Sequence, residues 1–579
     1  MQRQREDSTD PLSKRTPIAR REFLRRVAIL GVSAGALPTL IAGCAAPPAS
    51  PPATSAPAAK PAATSAPAVT AAPAATAAAP AAQPTPKRGG ELVQAINWTV
   101  PTMDPHLTTL PHHIIYENVY DGLLRLELVD PKTGEFKVTG LLAESWQQPD
   151  ARTIIFKLRQ GVKFHDGSEF DAEVAKWNVL RCRDHEKSYS KAPLSNVATV
   201  TATDKYTLEI KTKTDNAALL RVLAFVKGGL VRMVSKAAFD KNGEAWLQRN
   251  AVGTGPFKFR QWISDDRVLL DRNPDYFLMG ADKKALPYLD SLVLRYIPDP
   301  TASLQDMRAG SLHLLQWVVA KDVEIIKNDP KLDYLELPWA GQIYFEVGFN
   351  TQAPPFNDVK VRQAALYGID RVGMHKALGF GVGSPYYYPF HTPGTMGYDD
   401  SLIKYEYNPA KVKELLTAAG YPNGIDIELK VIAREPENTI GEFAQQMWTA
   451  VGIRTKLVSQ ERTSWIDAMK ALKFQSCFWR GSLDAVVDPE LSRRLFTCGG
   501  AANWAQWCDK EVDKLMDDGL ATLDPKQRAE IYKKVWTIIQ ERAYGGAGYL
   551  APIIDARRRE INVVNNKKEV PNLAGAWLG

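Results

Sequence analysis

Cysteine is scarce in this chain: five in 579 residues, at positions 44, 182, 477, 498 and 508. None stands in CxxC spacing, which sets aside a thiolate zinc site. A bias to one sign of charge is missing from most of the length. The formal net charge is +7, yet residues 1–44 hold eight Lys/Arg against four Asp/Glu, and residues 45–88 add only Lys60, Lys87 and Arg88. Residues 89–579 therefore sum to zero, and a neutral body argues against a nucleic-acid binder, which presents a basic face. No apolar run reaches the about 20 residues of a membrane-spanning helix. Neither HExxH nor a phosphate-binding P-loop occurs, and no repeat recurs at a fixed period. Gly31-Val32-Ser33-Ala34-Gly35 fits GxSxG, but inside an apolar leader rather than at a strand-to-helix turn. Gly379, Gly381 and Gly383 miss the GxGxxG spacing, because Ser384 falls where the last glycine belongs. The chain reads as no enzyme, with a secreted hydrolase as the rival class, and nothing in it asks for a cofactor.

What is present begins with an export signal. Arg20-Arg21-Glu22-Phe23-Leu24-Arg25 is a twin-arginine pattern, and Val27 to Ala42 is an uncharged apolar run of signal-peptide length. The run ends in Leu40-Ile41-Ala42-Gly43-Cys44, a lipobox: small residues admit the peptidase, and the Cys44 thiol takes the lipid. Acyl chains there anchor the protein at roughly 0.8 kcal/mol per buried methylene. Ala45 to Pro86 is almost entirely Ala, Pro, Ser and Thr, too poor in apolar bulk for a core and too rich in proline for a helix. It reads as a tether reaching at most roughly 130 Å at about 3.1 Å per residue. The expected division is 1–43 signal peptide and 44–88 lipidated cysteine and tether, with the folded body following on the outer face of a membrane.

From Gly89 the composition turns globular, and the length predicts several domains. Strands are expected at 92–96, 153–158 and 206–212. Helices are expected at 114–124 and at 171–180, the latter with Asp171 near its N-cap. The class is α/β or α+β. Cys182, Cys477, Cys498 and Cys508 allow three disulfide pairings, of which Cys498 with Cys508 is the most local. His106, His112 and His113 cluster, but polar residues are common at a helix start.

Several segments then resemble one known family in order and spacing. They are Leu141-Leu142-Ala143-Glu144-Ser145-Trp146 with Ile155 to Gly167; Gly253-Thr254-Gly255-Pro256-Phe257-Lys258 with Asn273-Pro274-Asp275-Tyr276-Phe277; Phe349-Asn350 with Pro355 to Ala364 and Ile369-Asp370-Arg371; and Pro409-Ala410-Lys411 through Ala419-Gly420-Tyr421. Together they resemble the family 5 extracellular solute-binding proteins of ABC importers, which include oligopeptide-, dipeptide- and nickel-binding members. The resemblance implies a two-lobed fold of the periplasmic-binding-protein type II kind, with an extra inserted domain and a hinge. Mapped here, lobe I is 89–135, 245–345 and 541–579, the insertion is 136–244, and lobe II is 346–540. It implies a monomer that captures a peptide or other small solute between its lobes and passes it to a permease served by an ATPase. An oligosaccharide is the alternative cargo.

Phe478 to Pro489 resembles the family stretch whose aspartate holds a peptide ammonium. Asp484 is the nearest match, although it stands further from both Trp479 and Pro489 than the family's aspartate does. Arg480 is the candidate for a ligand carboxylate, by bidentate pairing. Trp98, Trp317, Tyr344, Trp479 and Trp504 are the aromatic candidates, since each ring offers a large apolar face and a polar handle. Tyr386-Tyr387-Tyr388-Pro389-Phe390 reads as a surface loop or a cleft lip. Arg362 and Asp370 are expected on one helix, and the family markers as scaffold.

Overall fold

The structure is a computed structural model that describes residues 85–107, 113–130, 135–224, 231–481, 488–563 and 573–579. The leader, Cys44 and the tether up to residue 84 lie outside the described residues, as does His112. In chain order the strands are β1 (Glu91–Ile96), β2 (Leu124–Asp130), β3 (Glu135–Gly140), β4 (Ala143–Asp150), β5 (Thr153–Leu158), β6 (Val197–Asp204) and β7 (Thr207–Thr212). They continue as β8 (Phe257–Ile263), β9 (Arg267–Arg272), β10 (Ser291–Tyr296), β11 (Leu314–Leu315), β12 (Leu332–Phe349) and β13 (Ser384–Pro385). The rest are β14 (Ile425–Ile432), β15 (Ile453–Gln460), β16 (Ser476–Gly481), β17 (Gly545–Gly546), β18 (Tyr549–Arg558), β19 (Ile561–Val563) and β20 (Ala576–Leu578).

One long sheet runs in the order β15-β14-β16-β12-β18-β11-β1-β10-β9-β8. Its two flanks each contain a parallel triplet: β1 lies between parallel partners β10 and β11, and β14 between β15 and β16. Parallel neighbours need crossover connections, and the helix Glu437–Ala450 supplies the one from β14 to β15. Between the flanks stand β12 and β18, antiparallel to each other and long enough to pair with both sides. Separate cores sit under each flank, one around Leu92, Ile115 and Phe257, the other around Phe345, Leu429 and Trp448.

A second, four-stranded antiparallel sheet, β4-β5-β7-β6, forms its own core. Ile154, Phe156 and Leu158 alternate inward on β5 and meet Leu208 and Ile210 of β7 under the helix Ala172–Asp184. That helix starts where Asp171 accepts the Val174 amide, and it ends with Arg181 and Arg183 in the turn where cations suit the helix dipole. The helix expected over 114–124 is shorter: it spans His113–Val119, and Leu124 already belongs to β2. The chain turns at Gly122, where a Cβ would meet the Leu124 and Val231 carbonyls at 3.4 Å.

The family-like segments are tied to one another. The His165 ring accepts from the Gly253 amide (3.3 Å) and meets the Gly255 carbonyl at 2.9 Å, and Asn273 Nδ2 donates to that same carbonyl at 2.9 Å. A Cβ on Gly253 would fall 2.1 Å from the Val119 carbonyl oxygen, so only glycine fits there. Arg362 and Asp370 do not share a helix. Arg362 lies in Val359–Tyr367 and donates to the Phe356 carbonyl, whereas Asp370 caps the next helix, Arg371–Leu378, through the Gly373 amide. Gly368 and Ile369 separate the two helices. Arg371 is buried, and its guanidinium donates to the carbonyls of Tyr386, Ala547, Leu366, Ile369 and Tyr405. A disulfide joins Cys498 to Cys508, and Cys182 and Cys477 are buried free thiols.

Candidate functional site

In open parallel sheets, ligands sit off the carboxyl ends of the strands, where the chain leaves for the next element. Register shows where those ends point here. β16 runs antiparallel to β12 and stops at Gly481, opposite Ile343 in the middle of that strand. β11 runs antiparallel to β18, and the chain leaving it continues along the same line: Val318 N donates to the Ile554 carbonyl at 2.8 Å. The carboxyl ends of the two triplets therefore face each other across the central strands. Ile343 also pairs with Leu550, so the gap is four positions long on β18, from Leu550 to Ile554. At about 3.3 Å per residue that is roughly 13 Å.

On the β1 side the gap is built by the segments after β1 and β11. Trp98 follows β1, Trp317 follows β11, and their rings meet edge to face with centroids 4.0 Å apart. Trp317 has φ +58, a backbone region that disfavours a bulky residue. It is held there by Asp555 of β18, whose Oδ1 accepts the Trp317 amide at 3.3 Å, and by the next bond along, from Val318. Asp555 Oδ2 also accepts from Gln316 Nε2 at 3.5 Å. Asn97, Ser303, Gln316, Trp317 and Asp322 line a small cavity at this edge.

On the central strands Tyr344 of β12 stacks on Tyr549 of β18, with ring centroids 4.9 Å apart. On the far side Trp479 and Arg480 are the last residues before Gly481 of β16, with Trp479 opposite Glu346 of β12. Glu346 is buried, and its Oε1 accepts the Phe390 amide at 3.0 Å. Asp484 lies outside the described residues. The chain resumes at Asp488, which is committed to structure. It caps the turn Pro489–Ser492 and forms a fully buried, two-pronged ion pair with Arg528 at 2.9 and 3.1 Å. Trp504 belongs elsewhere in the β14 flank, edge-on to the core residue Trp465 at 5.6 Å.

The structure thus brings Trp98 and Trp317 together at one end of the gap, places Tyr344, Trp479 and Arg480 at its far edge, and gives Trp504 a packing role. Sequence reading missed Asn97, Gln316, Asp322 and Asp555. The signal was available only for the first two, which directly follow short apolar strands. The aromatic run 386–390 is not a surface loop. Tyr386, Tyr388 and Phe390 are buried, and the Tyr386 hydroxyl donates to the His391 carbonyl at 2.7 Å. His106, one of the clustered histidines, is buried between the Arg181 guanidinium and the Arg232 carbonyl, 2.7 Å from each.

Comparisons with known proteins agree with this geometry. The dipeptide-binding protein of Escherichia coli K12 is 27% identical over 446 residues, covering 72% of this chain and 81% of that protein. Heme-binding protein A of Haemophilus influenzae is 28% identical over 452 residues, covering 72% and 79%. Among solved structures, the periplasmic binding protein DppA of Helicobacter pylori in complex with the peptide STSA superposes with a TM-score of 0.69 at 26% identity, over 85% of this chain and 98% of that one. The two-lobed mixed α/β fold is common to these neighbours. The family model "Bacterial extracellular solute-binding proteins, family 5 Middle" matches residues 137–503. That stretch is well over half of the chain, and the protein belongs to the bacterial extracellular solute-binding proteins of family 5.

Proposed function

We propose that this protein captures a short peptide in the gap between the two strand edges and delivers it to the permease of an ABC importer. The observation that carries the reading is the gap itself, roughly 13 Å between facing edges, the span of about four extended residues. Extended peptides suit such a place because their backbone groups pair with exposed strand ends whatever their side chains. The named relatives point the same way: one is a dipeptide-binding protein, and one solved neighbour holds a peptide.

On this reading Asp484 meets the ligand ammonium, Arg480 its carboxylate, and Trp98, Trp317, Tyr344 and Trp479 wall the side chains. Trp504 acts by packing. Lobe I is 89–135, 245–345 and 541–579, lobe II is 346–540, and 136–244 is inserted. Closure of the lobes over ligand is a hinge motion about β12 and β18, driven by contacts to both sides. Export by the twin-arginine leader and lipid on Cys44 hold the protein at the membrane, with 45–88 as tether.

The test is thermal denaturation of the protein against peptides, glutathione, heme and oligosaccharides. A ligand at about 100 times its Kd adds roughly 2.7 kcal/mol of stability, which a melting curve resolves. Peptides are expected to raise the midpoint, and Asp484→Ala is expected to abolish that rise. A response confined to heme or sugars defeats the peptide assignment.

A further inference from the structure

Resting on the reading of the gap as the ligand cleft, we propose that its β1 side holds a subsite for a cationic group of the ligand, an ammonium or a guanidinium. The cavity there, about 50 Å³, is lined by Asn97, Ser303, Gln316, Trp317 and Asp322 together with apolar neighbours. Gln316 is 6% exposed. Its Nε2 faces Asp555, and its Oε1 has no hydrogen-bond partner. The carboxylate fixes which end of the amide turns away, because only the NH2 end can donate to it. An acceptor buried without a donor is unfavourable, and a donor on the ligand relieves that cost.

The other polar groups agree in sign. Asp322 is buried at the same wall, with the exposed Lys321 ammonium no nearer than 4.0 Å. The Ser303 hydroxyl spends its proton on the Asp299 carbonyl at 3.2 Å, which leaves its oxygen as an acceptor. Asp555 stands directly behind Gln316. A ligand carboxylate would meet acceptors and negative charge here, and an apolar side chain would leave the Gln316 oxygen dry and unpaired. A cation is met by acceptors and by the indole of Trp317, a ring whose face attracts positive charge. The left-handed backbone at Trp317 supports the same assignment. Strain of that kind persists where surrounding bonds over-determine it, and here two hydrogen bonds to β18 hold the indole against Trp98.

The test is calorimetric titration of the full chain with Ala-Lys-Ala, with Ala-norleucine-Ala and with 1,5-diaminopentane. The lysine peptide is expected to bind about tenfold more tightly than the norleucine peptide, the effect of one charge-assisted hydrogen bond. Gln316→Met keeps the length and removes the acceptor. It should bring that ratio close to one by raising the lysine peptide's Kd. Asp322→Asn should narrow the ratio as well, and it serves if the first variant does not fold. Equal binding of both peptides by the unmodified chain and both variants overturns the subsite and leaves the peptide reading standing. Binding of the diamine, sensitive to Gln316→Met, with neither peptide binding, keeps the subsite and defeats the peptide reading. Silence from all three probes overturns the subsite.

Discussion

Single residues show how this chain handles polarity in its interior. Asp488 and Arg528 are buried as a satisfied pair, with Arg528 also donating to the Tyr532 hydroxyl at 2.9 Å and to the Gly519 carbonyl at 2.8 Å. Arg371 reaches the same end with no carboxylate, only backbone carbonyls, and burial pushes its pKa down to about 10, still charged at neutral pH. His106, His165 and His391 follow a third course and stay neutral. Burial pushes each down to about 4, because imidazolium is poorly solvated there. His391 lies flat on Trp536, ring centroids 4.9 Å apart, and shares its Nδ1 with the Pro389 carbonyl at 3.0 Å. The sign of the linkage follows. An unfolded histidine titrates near 6.5 and the folded ones near 4, so between these values the unfolded chain binds more protons. This contribution to stability is fully present above about pH 6.5 and falls as pH drops toward 4, by at most about 4 kcal/mol per pH unit for the three together. His391→Phe keeps the stacking and removes one of them. From urea midpoints measured from pH 7.5 to 4.5, the variant's stability should fall less steeply than the parent's, by at most about 1.4 kcal/mol per pH unit. Parallel curves would mean that His391 titrates alike in the folded and the unfolded chain, so that burial does not hold it neutral.

At the scale of elements, the junction of the central strands with the β14 flank depends on Gly383. It has φ +84, and a Cβ there would stand 2.1 Å from the Leu550 carbonyl, on the strand that β13 pairs with. Gly383→Ala must push β13 off β18 or distort Leu550, at a cost of about 2 kcal/mol or more. The check is a lowered melting temperature, while Gly381→Ala, where nothing lies within 4 Å of the added carbon, should cost only its positive φ of +79. Neither glycine was legible as structural from a missed nucleotide-binding spacing. Other elements were legible. Asp171 announced the helix it caps, and alternation announced β7. The helix over 113–119 was overextended because Leu123 and Leu124 continue its apolar pattern, and a short apolar run at a helix end does not separate a last turn from a first strand residue. Arg362 and Asp370 looked like one helix because the break between them carries no proline. The meeting of Trp98 and Trp317 was not legible at all. The two are far apart in sequence and touch only because β1 pairs with β11 in parallel, which no local pattern encodes.

For the whole molecule the question is what holds the two sides of the gap at their present separation. β12 and β18 join them covalently, and on the proposed hinge reading rotation occurs about these two strands. A seam away from the gap restrains it. In this seam Ala217 N donates to the Leu520 carbonyl at 2.8 Å, and Ala218 and Val222 of the four-stranded region pack on Leu491 and Leu520 of the β14 flank. A rotation that carries the four-stranded region with the β1 flank breaks this seam, so the seam favours the arrangement in which the edges face each other. The apparent affinity for a ligand bound by both edges scales with the population of that arrangement. Leu520→Ala removes apolar contact from the seam and touches nothing in the gap. Truncation of a half-buried leucine here is worth about 1–2 kcal/mol, so an identified ligand should bind about five- to thirtyfold more weakly. Solution scattering of the ligand-free variant should show a larger radius of gyration than the parent, and saturating ligand should bring the two together. An unchanged Kd with an unchanged radius would mean that the seam does not restrain the flanks, and that β12 and β18 alone set the gap.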